Sequence, residues 1–265
     1  MSTTKAVILA RGLGTRMRRA FAGDRDQFAE AGLKGMIDVG RPFLDYVISA
    51  LADAGILDVC LVIGPEHAAV HEYYGAMTTR RVRINFATQA EPLGTADALL
   101  AAESFAAGNH VLVLNSDNYY KVHTLRALRE LNGPGAAVFE RDALIRGSNI
   151  SADRIASYAV VEFSADGVLE RIVEKPGTDA IAALPDPAYV SMNSWSMPPE
   201  IFDACRAITP SPRGELEIQS AVQYAIDTLG VRFHVLTFHD GVLDLTQRSD
   251  IPAVTAALEG FTPVL

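Results

Sequence analysis

Short, mostly apolar runs alternate with amphipathic stretches along most of this chain, and that alternation leaves few folds open to it. Lys5 to Ala10, Cys60 to Gly64, Arg83 to Ala87, Val111 to Asn115 and Ala136 to Glu140 have the length of strands. Between them lie stretches of helical spacing: Pro42 to Gly55, with Phe43, Val47, Leu51 and Ala54 on one face, then Ala68 to Gly75, Ala96 to Phe105 and His123 to Leu131. Strands that are apolar on both faces, each joined to the next by a helix, predict a parallel sheet covered on both sides. In such sheets ligands sit beyond the carboxyl ends of the strands.

The pattern changes after residue 140. Tyr158 to Phe163 and Val168 to Glu174 flank Ser164-Ala165-Asp166-Gly167, and an Asp-Gly step between two apolar runs signals an antiparallel hairpin. The sheet is therefore expected to be mixed. Tyr189 to Met197 follows as a strand, with helices at Pro198 to Ile208 and Glu217 to Leu229, strands at Arg232 to Phe238 and Val242 to Leu245, and a closing helix from Asp250 to Glu259. No Ser/Gly/Pro-rich linker or repeat divides the 265 residues, so one domain is expected, able to bury roughly three quarters of its unfolded surface.

A net charge of −9 repels polyanions, which argues against nucleic acid as a partner. Any phosphate must be captured locally, and Arg11, Arg16, Arg18, Arg19 and Arg25 concentrate positive charge in one stretch. Arg18, Arg19 and Arg25 read more readily as a solvated rim. The apolar run Ala6 to Ala10 is too brief for a membrane span or secretory segment, so no membrane is expected and the setting is read as cytoplasmic. Cys60 and Cys205 have no metal-ligand spacing and read as buried thiols.

The first strand runs into Leu9-Ala10-Arg11-Gly12-Leu13-Gly14-Thr15-Arg16-Met17, with Lys34 further on. Glycines after a buried strand let backbone N–H groups approach a phosphate where a Cβ would collide. The dinucleotide fingerprint fails because its third glycine is replaced by Met17, and the Walker pattern fails because Thr15-Arg16 does not supply Gly-Lys-Ser/Thr. Taken alone, Gly12-x-Gly14 is equally an ordinary strand-to-helix turn.

The ordered set is more specific. The glycine loop, Lys34, Gln89-Ala90-Glu91-Pro92-Leu93-Gly94-Thr95-Ala96, Ser116-Asp117-Asn118, Glu174-Lys175-Pro176, Asn193 and Asp244 resemble, over nearly the whole chain, the sugar-1-phosphate nucleotidylyltransferases, or NDP-sugar pyrophosphorylases. The layout is most similar to the thymidylyl and uridylyl branch. Joined to the periodicity, the resemblance implies an α/β fold: a three-layer α/β/α Rossmann-like sandwich with a mixed, mainly parallel central sheet and a small inserted β-hairpin lobe. Residues 1–140 would mainly bind nucleotide and 141–265 mainly the sugar phosphate.

The resemblance also assigns roles. Leu9, Gly12, Gly14 and Thr15 would line the triphosphate site, while Arg16, Lys34 and Lys175 would neutralise the reacting phosphates. Gln89, Gly94 and Thr95 would meet the base. A glutamine amide donates and accepts at once, matching the O/N–H edge of uracil or thymine, and a glycine admits the ring closely. UTP or dTTP is thus favoured, although Gly-Thr-Ala-Asp-Ala also resembles adenylyl-type members. Thr95 reads equally as an N-cap, with Asp97 complementing the helix dipole. Asp117 and Asp244, at strand ends, would hold Mg²⁺. Tyr158, Glu174, Lys175 and Asn193 would grip the sugar phosphate. Glu215 and Glu217 read as an acidic sugar-side motif or as helix caps.

The chain also departs from the family. Arg11 replaces a usual glycine, Leu33 and Asp38 stand where proline is frequent, and Thr246-Gln247-Arg248 replaces a Gly-Thr-Pro turn. The long loop from Arg18 to Gly32, with Asp24, Asp26 and Gln27, reads as a lid over the triphosphate. The implied reaction is Mg²⁺-dependent attack of a sugar 1-phosphate on the α-phosphorus of a nucleoside triphosphate. Two rivals stay open at this point: transfer to a phosphocholine-like acceptor, and a non-catalytic nucleotide-sugar sensor. Assembly as a homo-oligomer also stays open.

Overall fold

The computed structural model describes residues 3–12, 14–18, 28, 32–177 and 186–265. Seven strands form the path β10-β6-β9-β4-β1-β2-β3 of a nine-stranded sheet. They are β1 (Lys5–Leu9), β2 (Asp58–Ile63), β3 (Arg83–Thr88), β4 (Val111–Asn115), β6 (Gly135–Glu140), β9 (Tyr189–Met197) and β10 (His234–Phe238). β1 runs parallel to β2 and β4, β2 to β3, and β6 to β10, whereas β9 is antiparallel to both β4 and β6. The predicted mixed, mainly parallel sheet is what the chain builds.

Alternation along the strands explains the layers. On β1, Ala6 and Ile8 join one core with α1 (Phe43–Asp53), whereas Val7 and Leu9 join another with α3 (Thr95–Ala101). β6 divides likewise, Ala137 and Phe139 to the first core, Ala136 and Val138 to the second. α2 (Ala68–Gly75), α5 (Val122–Glu130) and α9 (Ile251–Leu258) add apolar residues to the first; α4 (Glu103–Ala106), α7 (Ile201–Ala207) and α8 (Ile218–Asp227) add theirs to the second. The second core centres on Trp195, edge-on to Phe233 with ring centroids 6.3 Å apart.

The hairpin, β7 (Ala159–Phe163) and β8 (Leu169–Val173), is present and antiparallel, and it attaches to the main sheet through β9. β9 contains a bulge: Ala137 pairs with Ser194 and Val138 with Ser191, so Met192 and Asn193 have no cross-strand partners on β6.

Three local expectations are corrected. The helix read over Ala96 to Phe105 is two helices that part at Ala102, whose N–H bonds back to the Leu99 carbonyl at 2.9 Å. The strand read over Val242 to Leu245 shortens to β11 (Leu243–Asp244), antiparallel to the two-residue β5 (Asn118–Tyr119). An unexpected helix, α6 (Arg141–Gly147), follows β6, and the Glu140 carboxylate starts it by accepting from the Asp142 and Ala143 amides at 2.8 and 2.7 Å. Cys60 and Cys205 are free and buried, as expected, and burial pushes both thiols up to about 12. Among the described residues, no helix is long and apolar enough to cross a membrane.

Candidate active site

The parallel strands β1, β2, β3 and β4 all end at one edge, and a cavity of about 530 Å³ opens there. Its walls include Leu9, Gly12, Gly14, Thr15, Arg16 and Lys34 from the first strand end and the loop after it. Gln89, Gly94 and Thr95 enter after β3, Asp117 after β4, and Lys175 after the hairpin. Tyr158, Glu174, Asn193 and Asp244 do not line it. They stand behind or beside its wall, each tied into a polar network.

The two loop glycines differ in kind. Gly14 has φ +56°, and an added Cβ would lie 2.5 Å from the Gly32 Cα, so the protein's own packing demands glycine. Gly12 is exposed, and a Cβ there would meet nothing within 4 Å. No internal contact among the described residues explains Gly12, and the space beside it is open to the cavity. Arg16 is exposed on the cavity wall with no ionic partner among the described residues. The lid reading falls on Arg18 to Gly32, most of which lies outside the described residues.

Arg11 lines the cavity with its charge already paired. Its guanidinium grips both Glu66 carboxylate oxygens at 3.0 and 3.1 Å and donates to the Gln89 carbonyl at 2.7 Å, tying the ends of β1, β2 and β3 together. Gln89 is correspondingly fixed. Its amide N–H donates to the Ile63 carbonyl at 2.9 Å, and its side-chain Nε2 donates to the Gly94 carbonyl at 3.1 Å and to Asp97 at 2.7 Å. Gly94 adopts φ +130°, and a Cβ on it would lie 2.4 Å from the Leu216 carbonyl oxygen, so its glycine is explained by the chain crossing beneath it. Thr95 does not cap its own helix; Gly94 holds that position. The Thr95 hydroxyl instead accepts from the Ile218 N–H at 2.9 Å, starting α8. Glu215 lines the cavity, while Glu217 accepts from Arg213 at 2.7 Å and gives no side-chain cap.

The two aspartates are brought together by the ribbon of β5 and β11, in which Asp244 pairs with Asn118 and the Leu245 amide donates to the Asp117 carbonyl at 2.8 Å. Lys34 Nζ lies 2.6 Å from Asp117 Oδ2. Asp244 is 2% exposed and fully engaged: Oδ1 accepts from Arg154 at 2.6 Å, and Oδ2 accepts from Asn118 and Tyr158, each at 3.1 Å. Asn149 brackets its backbone, accepting from the Asp244 amide and donating to its carbonyl. Burial, then the neighbouring charge of Asp117, raises the Asp244 carboxyl above the usual range. Burial and Asp244 together raise the Tyr158 phenol.

On the far side, Lys175 sits in the left-handed region at φ +47° and Asn193, in the β9 bulge, at φ +59°. Ala107 is the one further described residue other than glycine with positive φ, so two of the three such positions belong to expected sugar-side residues. Asn193 Oδ1 accepts from Gln219 at 2.9 Å. Glu174 lies 3.6 Å from both Lys175 and Arg213, and burial pushes its carboxyl up to about 7, with Glu217 and Glu215 adding and Arg213 opposing.

Sequence reasoning missed Arg154, Asn149 and Arg213, and also Ser157, which lines the cavity. Arg213 stands four residues before Glu217, a spacing that signals an ion pair, and Arg154 four before Tyr158. Nothing local marks Asn149, whose partner is 95 residues away.

Known proteins resemble this chain in the same terms. A glucose-1-phosphate thymidylyltransferase of Streptomyces griseus is 30% identical over 224 residues, covering 84% of this chain and 57% of that protein. A UTP–glucose-1-phosphate uridylyltransferase of Haloferax volcanii is 29% identical, covering 84% of this chain and 83% of the relative. The chain spans little more than half the length of two Streptomyces relatives, 57% of each. In three dimensions, a UDP-glucose pyrophosphorylase complexed with UDP-glucose aligns with a TM-score of 0.75 over 96% of this chain and 97% of that one, at 18% identity. A UTP-bound UDP-glucose pyrophosphorylase from Acinetobacter baumannii aligns at 0.74 over 98% and 95%, at 20% identity. Those structures share the fold. The sequence matches the nucleotidyl transferase family over residues 5–240, and the chain belongs to that family.

Proposed function

We propose that this chain joins a nucleoside triphosphate, UTP or dTTP, to a sugar 1-phosphate, releasing pyrophosphate and forming an NDP-sugar. One observation carries the reading: Gly12, whose glycine no described contact requires, Arg16, without an ionic partner among the described residues, Lys34, Asp117 and Lys175 line one cavity at the carboxyl ends of the parallel strands. Its relatives' names, glucose-1-phosphate thymidylyltransferase and uridylyltransferase, support the same reaction class.

In that reaction an oxygen of the sugar 1-phosphate attacks the α-phosphorus in line, a new P–O bond forms, and the bond from the α-phosphorus to the bridging oxygen breaks. The attacking phosphate is already anionic at neutral pH, so no protein base is required. The chain's task is alignment and charge neutralisation. The backbone beside Gly12 receives the triphosphate, Arg16 faces its outer phosphates, Lys34 the reacting centre, and Lys175 the incoming sugar phosphate. Glu174 and Asn193, beside the cavity, would accept from and donate to sugar hydroxyls, and Tyr158 donates to Asp244 behind the wall.

Asp117 suits a hard divalent cation such as Mg²⁺: it is an oxygen donor on the cavity wall, and its Oδ1 accepts no hydrogen bond among the described residues. Asp117 would hold it, and Asp244, buried and bonded through both oxygens, would join it only where Asn118 and Tyr158 released its Oδ2. When bound, the ion offsets charge on the α-phosphate. The two reduced, buried thiols fit a cytoplasmic setting.

The test is pyrophosphate formation across UTP, dTTP, CTP, ATP and GTP with a set of sugar 1-phosphates. Release with glucose 1-phosphate or a related sugar supports the reading. Tight NDP-sugar binding without turnover in either direction would replace it with a sensor.

A further inference from the structure

We propose that Asp97 is a specificity-positioning residue: it locks the Gln89 side-chain amide in one orientation, so that the base is read by a carbonyl acceptor alone. The chemical class admitted is then a base with a ring N–H at that point, the imide of uracil or thymine. The inference rests on the nucleotidyl-transfer reading above and deepens it.

The orientation follows from the partners. Gln89 Nε2 faces the Gly94 carbonyl at 3.1 Å and the Asp97 carboxylate at 2.7 Å. Both are pure acceptors, so the NH₂ must point at them, and the reverse orientation would set Oε1 against two oxygens. The amide thereby spends its donors inside the protein. Oε1 receives no hydrogen bond among the described residues, while Gln89, Gly94, Thr95 and Ala98 line the cavity.

The backbone leaves no slack to evade this. Arg11 holds the Gln89 carbonyl at 2.7 Å, the Gln89 amide is tied to Ile63, and the residue is only 3% exposed. Asp97 itself is placed in the first turn of α3. A fixed acceptor meets the N3–H of uracil or thymine directly, but meets the bare N3 of cytosine lone pair to lone pair. The sequence expectation of a glutamine that donates and accepts together is thus narrowed to acceptance. A buried polar group that loses its partner is the strongest discriminator a site can use, so rejection of cytosine by roughly 100-fold or more is expected.

Two variants test it in the full chain. Asp97→Ala removes the charged acceptor and leaves the Gly94 carbonyl alone to orient the amide; Asp97→Asn keeps the size and removes the charge. Binding of UTP, dTTP and CTP is measured calorimetrically, with thermal unfolding as the check on folding. The expected result is that the UTP-to-CTP affinity ratio falls about tenfold in Asp97→Ala, the scale of one charge-assisted hydrogen bond, and moves less, in the same direction, in Asp97→Asn. A general packing defect would weaken both nucleotides together and leave the ratio unchanged. An unchanged ratio in both folded variants overturns the orientation argument. Absence of binding of every nucleotide to the unsubstituted protein would instead overturn the transfer reading itself.

Discussion

Replacing Arg154 by methionine tests the network that holds Asp244. The guanidinium, 14% exposed in its side chain, bridges two nearly buried carboxylates, Asp244 at 2.6 Å and Asp250 at 2.8 Å. Breaking a buried pair by deleting one partner costs ~3–5 kcal/mol, because a charge is left without its counter-ion. Here the remaining donors soften the loss. Asp250 keeps the Thr246 and Gln247 amides at 3.0 and 2.9 Å, and Asp244 keeps Asn118 and Tyr158. The lower end, ~3 kcal/mol, is therefore expected, a fall in Tm of roughly 6–12 °C for a domain of this size. The pH dependence has a definite sign. Asp244 already has a raised carboxyl, so once ionised it subtracts stability above its unfolded value of ~3.9, and the penalty lifts as pH falls toward that value. Removing Arg154 raises it further, so the deficit is widest at neutral pH and narrows toward about pH 4. Arg154→Lys keeps the charge without the fork and recovers about half of the loss. Urea unfolding at two pH values measures all three. A methionine variant within about 1 kcal/mol of the unsubstituted protein at pH 7 would refute the reasoning.

Gly12→Ala is expected to fold with unchanged stability, since nothing opposes the added methyl, and yet to lose nucleotide affinity; Gly14→Ala, forced against Gly32, is expected to lower Tm, and equal behaviour of the pair in melting and titration would count against a ligand beside Gly12. Asp117→Asn should reduce Mg²⁺-dependent pyrophosphate release by on the order of 10²-fold or more with the fold intact, and near-normal turnover would discard Asp117 as a ligand. Glu174 gains charge as pH rises through about 7, so the KM for the sugar phosphate should fall across that range relative to Glu174→Gln; parallel profiles would remove Glu174 from the sugar site.

What the chain disclosed in advance was governed by locality. The strands and helices of the first half follow from spacing within a few residues, and β1, α2, β4 and β9 form where the pattern puts them, to within a residue. α6 escaped notice because its start depends on Glu140 turning its carboxylate back onto two amides, a capping choice glutamate seldom makes. The cavity residues were legible because their types are diagnostic in order. Their internal partners were not. That Asp244 would meet Arg154 and that Arg11 would pair with Glu66 are consequences of folding distant segments together, and that Gln89 would give its donors to Asp97 depends on the turn between them. Gly94 illustrates the limit well: a glycine beside the base invites an explanation through the ligand, while the backbone of Leu216 already forbids any side chain there.

The short ribbon of β5 and β11 joins residues 126 positions apart, Asn118 to Asp244. Its consequence reaches back to synthesis on the ribosome. A growing chain emerges from its amino end, so the glycine loop, Gln89 and Asp117 are all exposed well before the segment that carries Asp244 has been made. Asp244 is thus the later of the two acids to be made, and a chain released short of residue 243 lacks both Asp244 and the β11 side of the ribbon that brings it toward Asp117.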